Sequence, residues 1–107
     1  MILNIKPLSV NQAWQGRRFK TDQYKEWIKH LTLILPPVKT SFKGDLKVEI
    51  VFGFSSRASD IDNPLKPLID VLQKKYGFND NQIQELNVKK ELTTKGKEFI
   101  NLNIIQL

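Results

Sequence analysis

The chain has 107 residues and a formal net charge of +6, from 17 lysines and arginines against 11 aspartates and glutamates. This length suits one domain, residues 1–107, with one hydrophobic core. The absence of cysteine excludes disulfides, thiolate nucleophiles and cysteine-ligated zinc, and it suits a cytoplasmic protein. The positive charge favours a polyanionic partner, most commonly nucleic acid, although a solvated basic surface without a partner is the simpler alternative.

The first third of the chain predicts a strand, a loop and a helix. Ile2 to Lys6 form a short strand, and the polar stretch after it is a loop. Apolar residues then recur at helical spacing from Tyr24 to Leu35, with Thr21 as the N-cap. Pro36-Pro37 end this helix. The N-terminal residues lack the pattern of a signal peptide, and no apolar stretch is long enough to cross a bilayer, so no membrane partner is expected.

The middle of the chain predicts a half-buried strand and a second helix. Alternate residues from Leu46 to Phe54 are apolar, which places one face of this strand on the core. Asn63 is the predicted N-cap of the helix, Pro64 is its first residue, and Gly77 ends it.

Two further strands complete the pattern, from about Ile83 to Leu92 and from Glu98 to Gln106. The sequence TTKGK between them predicts a hairpin, in which Gly96 takes a positive φ. The order is strand, helix, strand, helix, strand, strand. We therefore predict an α+β domain in which helices pack on a mixed sheet.

Two aspartates one residue apart, Asp60 and Asp62, precede the second helix in the sequence DIDNPLK. The simpler interpretation is structural, because acids near a helix N-terminus are stabilised by its dipole and free amides. That explains Asp62 but not Asp60, which lies outside the first turn. In an extended segment, the two side chains would instead point to the same side and offer two carboxylates to Mg²⁺. From these residues alone, the structural interpretation is favoured.

Asp80 and Lys66 could complete such a metal site. Asp80 lies in the turn after the second helix, where a third carboxylate would form a cluster for one or two Mg²⁺ ions able to support phosphodiester hydrolysis. Lys66 follows Asp62 by one helical turn and could meet a phosphate or the leaving oxygen. Asp70 continues the same helix face and could pair with Lys66.

Basic residues gather in the loop before the first helix, at Arg17, Arg18 and Lys20, and we predict that they contact DNA phosphates. Trp14 and Phe19 could stack on exposed bases, but ordinary packing is the favoured interpretation. Because the chain has one histidine, a histidine-based nuclease or zinc site lacks ligands.

The segment from Asp60 to Ile83, DIDNPLKPLIDVLQKKYGFNDNQI, resembles the central motif of the RusA family of Holliday junction resolvases. That motif is Asp-x-Asp-Asn-x-x-Lys, an apolar helix with a later Asp, then Gly-Phe and an acidic turn followed by Gln and an aliphatic residue. The stretch from Pro7 to Trp27 also resembles the family's opening. The resemblance covers nearly the whole chain, and the order of the elements agrees.

The resemblance implies a homodimeric endonuclease that cuts four-way DNA junctions by paired symmetric nicks, with Mg²⁺ or Mn²⁺, in recombination and repair. The family's catalytic, metal-binding carboxylates fall on Asp60, Asp62 and Asp80, and its essential lysine falls on Lys66, which would also touch DNA. Such proteins are common in phages and prophages, which implies a phage-derived origin. The family's turn usually carries two adjacent acids, whereas this chain has Asn79-Asp80.

Two other functions stay open. The protein could bind branched DNA without cutting it, which a cleavage assay with added metal would decide. It could also be a nuclease for forks or flaps, which competition between junction and fork substrates would decide.

Overall fold

The computed structural model describes residues 1–8, 14–15, 19–20, 22–38 and 41–107, with the backbone alone for 14–15 and 19–20. The described strands are β1 (Ile2–Leu3), β2 (Trp14–Gln15), β3 (Phe19–Lys20), β4 (Leu46–Phe54), β5 (Ile83–Leu92) and β6 (Phe99–Gln106). The described helices are α1 (Asp22–Ile34), α2 (Leu65–Tyr76) and a turn of 3-10 helix, Asp80–Gln82. None of them is long and apolar enough to cross a membrane.

Four strands form one mixed sheet in the order β1-β6-β4-β5. β5 runs parallel to β4, whereas β6 is antiparallel to both of its neighbours. The predicted α+β class with a mixed sheet is therefore confirmed. β2 and β3 pair with each other in a separate antiparallel ladder, within the stretch that was predicted to be a loop.

The predicted hairpin between the last two strands is wrong. β5 and β6 pair with opposite edges of β4 and not with each other. The crossover through α2 places β5 parallel to β4, along one edge of β4. The connection from β5 to β6 then passes the end of β4, and β6 pairs with the opposite edge of β4. At that crossing the backbone N–H of Thr93 donates to the carbonyl of Phe54 at 2.8 Å. Gly96 does have a positive φ, of 90°, in the connection.

The core lies between one face of the sheet and the two helices. The predicted alternation in β4 is confirmed, because its five core-facing side chains are all buried. They are Leu46, Val48, Ile50, Phe52 and Phe54. Leu31 of α1, Leu68 and Leu72 of α2 and Leu102 of β6 belong to the same buried cluster. This packing fixes α2 on the sheet, and the segments on either side of α2 carry the acidic motif.

The ends of the helices agree only in part with their predicted caps. α2 begins at Leu65 after Pro64, and it has no side-chain N-cap. The prediction of Asn63 as N-cap is wrong, because its side-chain amide donates to the Asp60 carboxylate instead, at 3.4 Å. Gly77 ends α2 with a φ of 71°, as predicted. Thr21, the predicted cap of α1, lies outside the described residues.

Gly53 of β4 leaves space for an aromatic ring. It stands opposite Phe99 of β6, and a Cβ at position 53 would overlap that ring. We expect Gly53→Ala to lower the free energy of unfolding by about 1–3 kcal/mol, because the ring must move. Urea unfolding of Gly53→Ala, Phe99→Ala and the double variant measures this. If Gly53→Ala costs as much in the Phe99→Ala background, the ring is not the cause.

Candidate active site

An exposed groove lies between the N-terminal turns of α2, the Asp80 turn and the start of β5. Its volume is ≈ 400 Å³. Asp62, Lys66 and Asp80 line it with polar groups, and apolar side chains form the rest of its wall. Those side chains are Leu65, Ile69, Ile83 and Leu86. Three of the four residues predicted as catalytic are therefore brought to one groove.

Lys66 is held between two carboxylates. Its Nζ lies 2.8 Å from Oδ1 of Asp70, one helical turn further along α2, and 3.7 Å from Oδ2 of Asp80. The predicted pairing of Asp70 with Lys66 is thus confirmed. The hydrogen bond and charge of Asp70 raise the pKa of Lys66, and Asp80 adds to this effect. Lys66 is therefore a protonated ammonium group at neutral pH, beside the groove's carboxylates.

Asp80 owes its position to a network of amide side chains. Its backbone N–H donates to Oε1 of Gln73 in α2, at 2.8 Å. Asn79 and Gln82 form a reciprocal capping box around the turn. Gln82 also donates through Nε2 to the carbonyl of Gly44, at 2.9 Å. Sequence reasoning did not identify Gln73, since nothing in a helical pattern shows that one polar side chain reaches the turn after the helix.

Asp60 and Asp62 lie in a turn and not in the extended segment assumed from the sequence. The Asn63 N–H donates to the Asp60 carbonyl at 3.4 Å, and the Leu65 N–H donates to the Asp62 carbonyl at 3.2 Å. The alternation of an extended strand therefore does not apply to this pair. Asp62 lines the groove, whereas Asp60 is not among its lining residues and accepts from the Asn63 side chain.

The carboxylate oxygens of the groove are the kind of ligand that a hard divalent cation prefers. Among the described residues, no three acidic, histidine or cysteine side chains are grouped to hold a metal ion. Asp62 and Asp80 nevertheless present exposed carboxylates to one groove. Mg²⁺ is commonly held by one or two carboxylates, with waters and substrate phosphates as its other ligands. The residues present therefore fit Mg²⁺ with Asp62 and Asp80 as the ligands within the groove.

Lys90 of β5 anchors the loop that leads into the acidic motif. Its Nζ donates to the carbonyl of Arg57 at 2.8 Å and also to the carbonyl of Ser59. It lies 5.7 Å from the ring centroid of Phe54. The sequence alone does not distinguish Lys90 from the other lysines of the chain. Its contacts hold the backbone directly before Asp60.

We expect Lys90→Met to reduce DNA cleavage by about 10–100-fold, because a loosened loop misplaces the motif. The free energy of unfolding should fall by only about 1 kcal/mol, since the freed carbonyls are near solvent. Lys95→Met, which removes an exposed lysine from the β5–β6 connection, is the matched control. Equal cleavage by the two variants would show that Lys90 acts only through its charge.

The residues predicted to contact DNA phosphates come before α1 in the chain. Arg17 and Arg18 lie outside the described residues, and for Lys20 the structure describes the backbone alone. Their role stays a prediction.

The fold and the groove define a small α+β protein that brings two carboxylates and a lysine together on its surface. A family model described as Endodeoxyribonuclease RusA matches residues 8–103. The chain therefore belongs to the RusA endodeoxyribonuclease family, a family of nucleases that act on Holliday junctions. A comparison with curated proteins finds no match.

Proposed function

We propose that this protein is a metal-dependent endodeoxyribonuclease that resolves four-way DNA junctions by paired symmetric nicks in recombination and repair. Family membership supports the nuclease activity and the branched substrate. The observation that carries the proposal for this chain is the groove shared by Asp62, Lys66 and Asp80. The net charge of +6 supports a polyanionic substrate.

Asp62 and Asp80 would hold the divalent cation, with Mg²⁺ as the proposed ion and Mn²⁺ as a substitute. Asp60 is proposed as the third carboxylate of the site, at the other end of the same turn. When bound, such an ion lowers the pKa of a coordinated water and offsets the negative charge that develops on a phosphodiester. The carboxylates also keep the groove from attracting phosphate until cations have neutralised them, because like charges repel.

Lys66 would stabilise the phosphate that is cut. Its raised pKa keeps the ammonium protonated, so it can donate hydrogen bonds to phosphate oxygens or to the leaving oxygen and stabilise their negative charge. The shorter contact, to Asp70, lets Lys66 keep one carboxylate partner while it turns from Asp80 toward DNA. Asp70 is therefore proposed as a positioning residue that holds the lysine at the groove.

The remaining parts of the proposal concern partners and place. Arg17, Arg18 and Lys20 are proposed to contact DNA phosphates outside the groove. Symmetric nicks in two strands need two active sites related by two-fold symmetry, which a homodimer supplies. The proposed setting is the cytoplasm of a bacterium, with the protein encoded by the host, a phage or a prophage.

Substrate competition tests the proposed specificity. A labelled four-way junction is incubated with the protein, Mg²⁺ and an excess of unlabelled junction, fork, flap or linear duplex. We expect only the unlabelled junction to suppress cleavage fully at equal concentration. Stronger suppression by forks or flaps would make the protein a nuclease for those structures. Binding of the junction without cleavage in Mg²⁺ or Mn²⁺ would make it a DNA-binding protein.

A further inference from the structure

The ammonium group of Lys66 is already a cation beside Asp80. Its Nζ lies 3.7 Å from Oδ2 of Asp80, a looser contact than its 2.8 Å to Oδ1 of Asp70. A divalent cation held by Asp80 would bring a second positive charge to the same carboxylate, and like charges repel. Lys66 and a metal ion therefore compete for Asp80.

Lys66 is the partner in this ion pair that is free to move. The backbone N–H of Asp80 is held by the Gln73 side chain, and the capping box of Asn79 and Gln82 closes the turn around it. The Lys66 side chain is a flexible stem that lies largely in solvent. When the contact between Lys66 and Asp80 breaks, the lysine swings away and the turn stays in place.

Asp70 gives the lysine a second place to stay. It follows Lys66 by one turn of the same helix, so this pair does not depend on the Asp80 turn. Asp70 is not among the residues that line the groove, whereas Asp62 and Asp80 are. The arrangement thus separates a carboxylate for the lysine from two carboxylates for a cation.

We infer that Lys66 is a tethered counter-ion of Asp80, which moves fully onto Asp70 when a divalent cation binds in the groove. Before the metal binds, the ammonium offsets the repulsion between the carboxylates of Asp62 and Asp80. Once released from Asp80, Lys66 is held at the groove by Asp70 and is free to meet a phosphate. Metal binding and release of the lysine are therefore coupled, an inference that rests on the metal site proposed above.

Binding of Mn²⁺ to the DNA-free protein, followed by the electron paramagnetic resonance signal of the free ion, tests the competition without any cleavage. We expect Lys66→Met to bind Mn²⁺ about 3–10-fold more tightly than wild type, because the competing ammonium is gone. Equal or weaker binding by Lys66→Met would overturn the inference.

Lys74→Met is the matched control for this titration. It removes the same charge from an exposed position of the same helix. Lys74 lies about 12 Å further along the helix axis, beyond the Debye length of about 10 Å at 0.1 M salt. It should bind Mn²⁺ like wild type. A gain equal to that of Lys66→Met would show that net charge is the cause and would overturn the competition at Asp80.

A double-mutant cycle separates the exchange from the simple effect of charge. We expect Asp70→Asn to weaken Mn²⁺ binding about 3–10-fold, because the lysine then stays on Asp80. In the Lys66→Met background the same change should alter the affinity less than about 2-fold, since Asp70 acts through the lysine. If Asp70→Asn weakens binding equally in both backgrounds, Asp70 acts by its own charge and the exchange is refuted.

These readouts do not depend on cleavage. If the protein cuts junctions but Lys66→Met binds Mn²⁺ like wild type, the exchange is overturned and the proposed function stands. If Lys66→Met binds Mn²⁺ more tightly but the wild-type protein never cuts DNA, the exchange is supported and the proposed nuclease is overturned.

Discussion

Asp62→Asn is expected to reduce cleavage of a four-way junction by at least about 100-fold, since metal-ion catalysis contributes several kcal/mol and each 1.36 kcal/mol is tenfold in rate. Asparagine keeps the size of the side chain but removes the charge that would hold a cation. Binding of the junction should persist or tighten, because one negative charge leaves the groove. Single-turnover cleavage and a gel-shift assay on the same preparation measure the two effects.

Asp45→Asn is the matched control for this experiment. Asp45 is exposed directly before β4, and it does not line the groove. The control should cut at the wild-type rate, since it changes the net charge by the same amount elsewhere. Unfolding free energies of both variants should stay within about 0.5 kcal/mol of wild type, as for other surface substitutions. Wild-type cleavage by Asp62→Asn would refute the assignment of Asp62 as a metal ligand.

Lys66→Met is expected to reduce cleavage by about 100–1000-fold, the usual cost of removing one group that stabilises transition-state charge. Its effect on folding should be small, because exposed ion pairs contribute about 0–1 kcal/mol. Lys66 is itself largely exposed, because 71 % of its side chain is accessible to solvent. Cleavage rates and urea unfolding of the same samples separate catalysis from stability.

Two further variants decide how Lys66 acts. Lys74→Met removes an exposed lysine from the last turn of α2 and should cut normally. Asp70→Asn should reduce cleavage less than Lys66→Met, because it weakens the hold on the lysine without removing it. If Asp70→Asn abolishes cleavage while Lys66→Met cuts normally, the roles of the two residues are reversed.

Local patterns predicted the helices and the long strands well. β4 and β5 have the predicted bounds, and α2 ends at the predicted glycine, because alternation and a left-handed C-cap are properties of short segments. The order of the strands in the sheet could not be predicted from such patterns. Alternation of apolar residues shows which face of a strand is buried, but it does not show which strands pair with each other. A composition signal was available, because β6 is rich in aliphatic residues and lies inside the sheet, whereas β5 is rich in charged residues and lies at its edge.

The site could be predicted in its residues more than in its geometry. Asp62, Lys66 and Asp80 were all selected from the motif and do line one groove. The relation of Asp60 to Asp62 was not predicted, because the backbone hydrogen bonds of the turn replace the extended conformation. The supporting contacts of Gln73 and Lys90 were also not foreseen. Gln73 reaches from α2 to the turn seven residues later, and Lys90 joins β5 to a loop 33 residues earlier, and neither contact follows from a helix or strand pattern.

The most direct test of the central claim is nicking of an end-labelled synthetic four-way junction, with Mg²⁺ and with a chelator, beside a linear duplex of the same sequence. The account predicts cuts that need the metal, fall at symmetric positions in two strands and are confined to the junction. Tight binding with no cutting in Mg²⁺ or Mn²⁺, or equal cutting of the linear duplex, would contradict it.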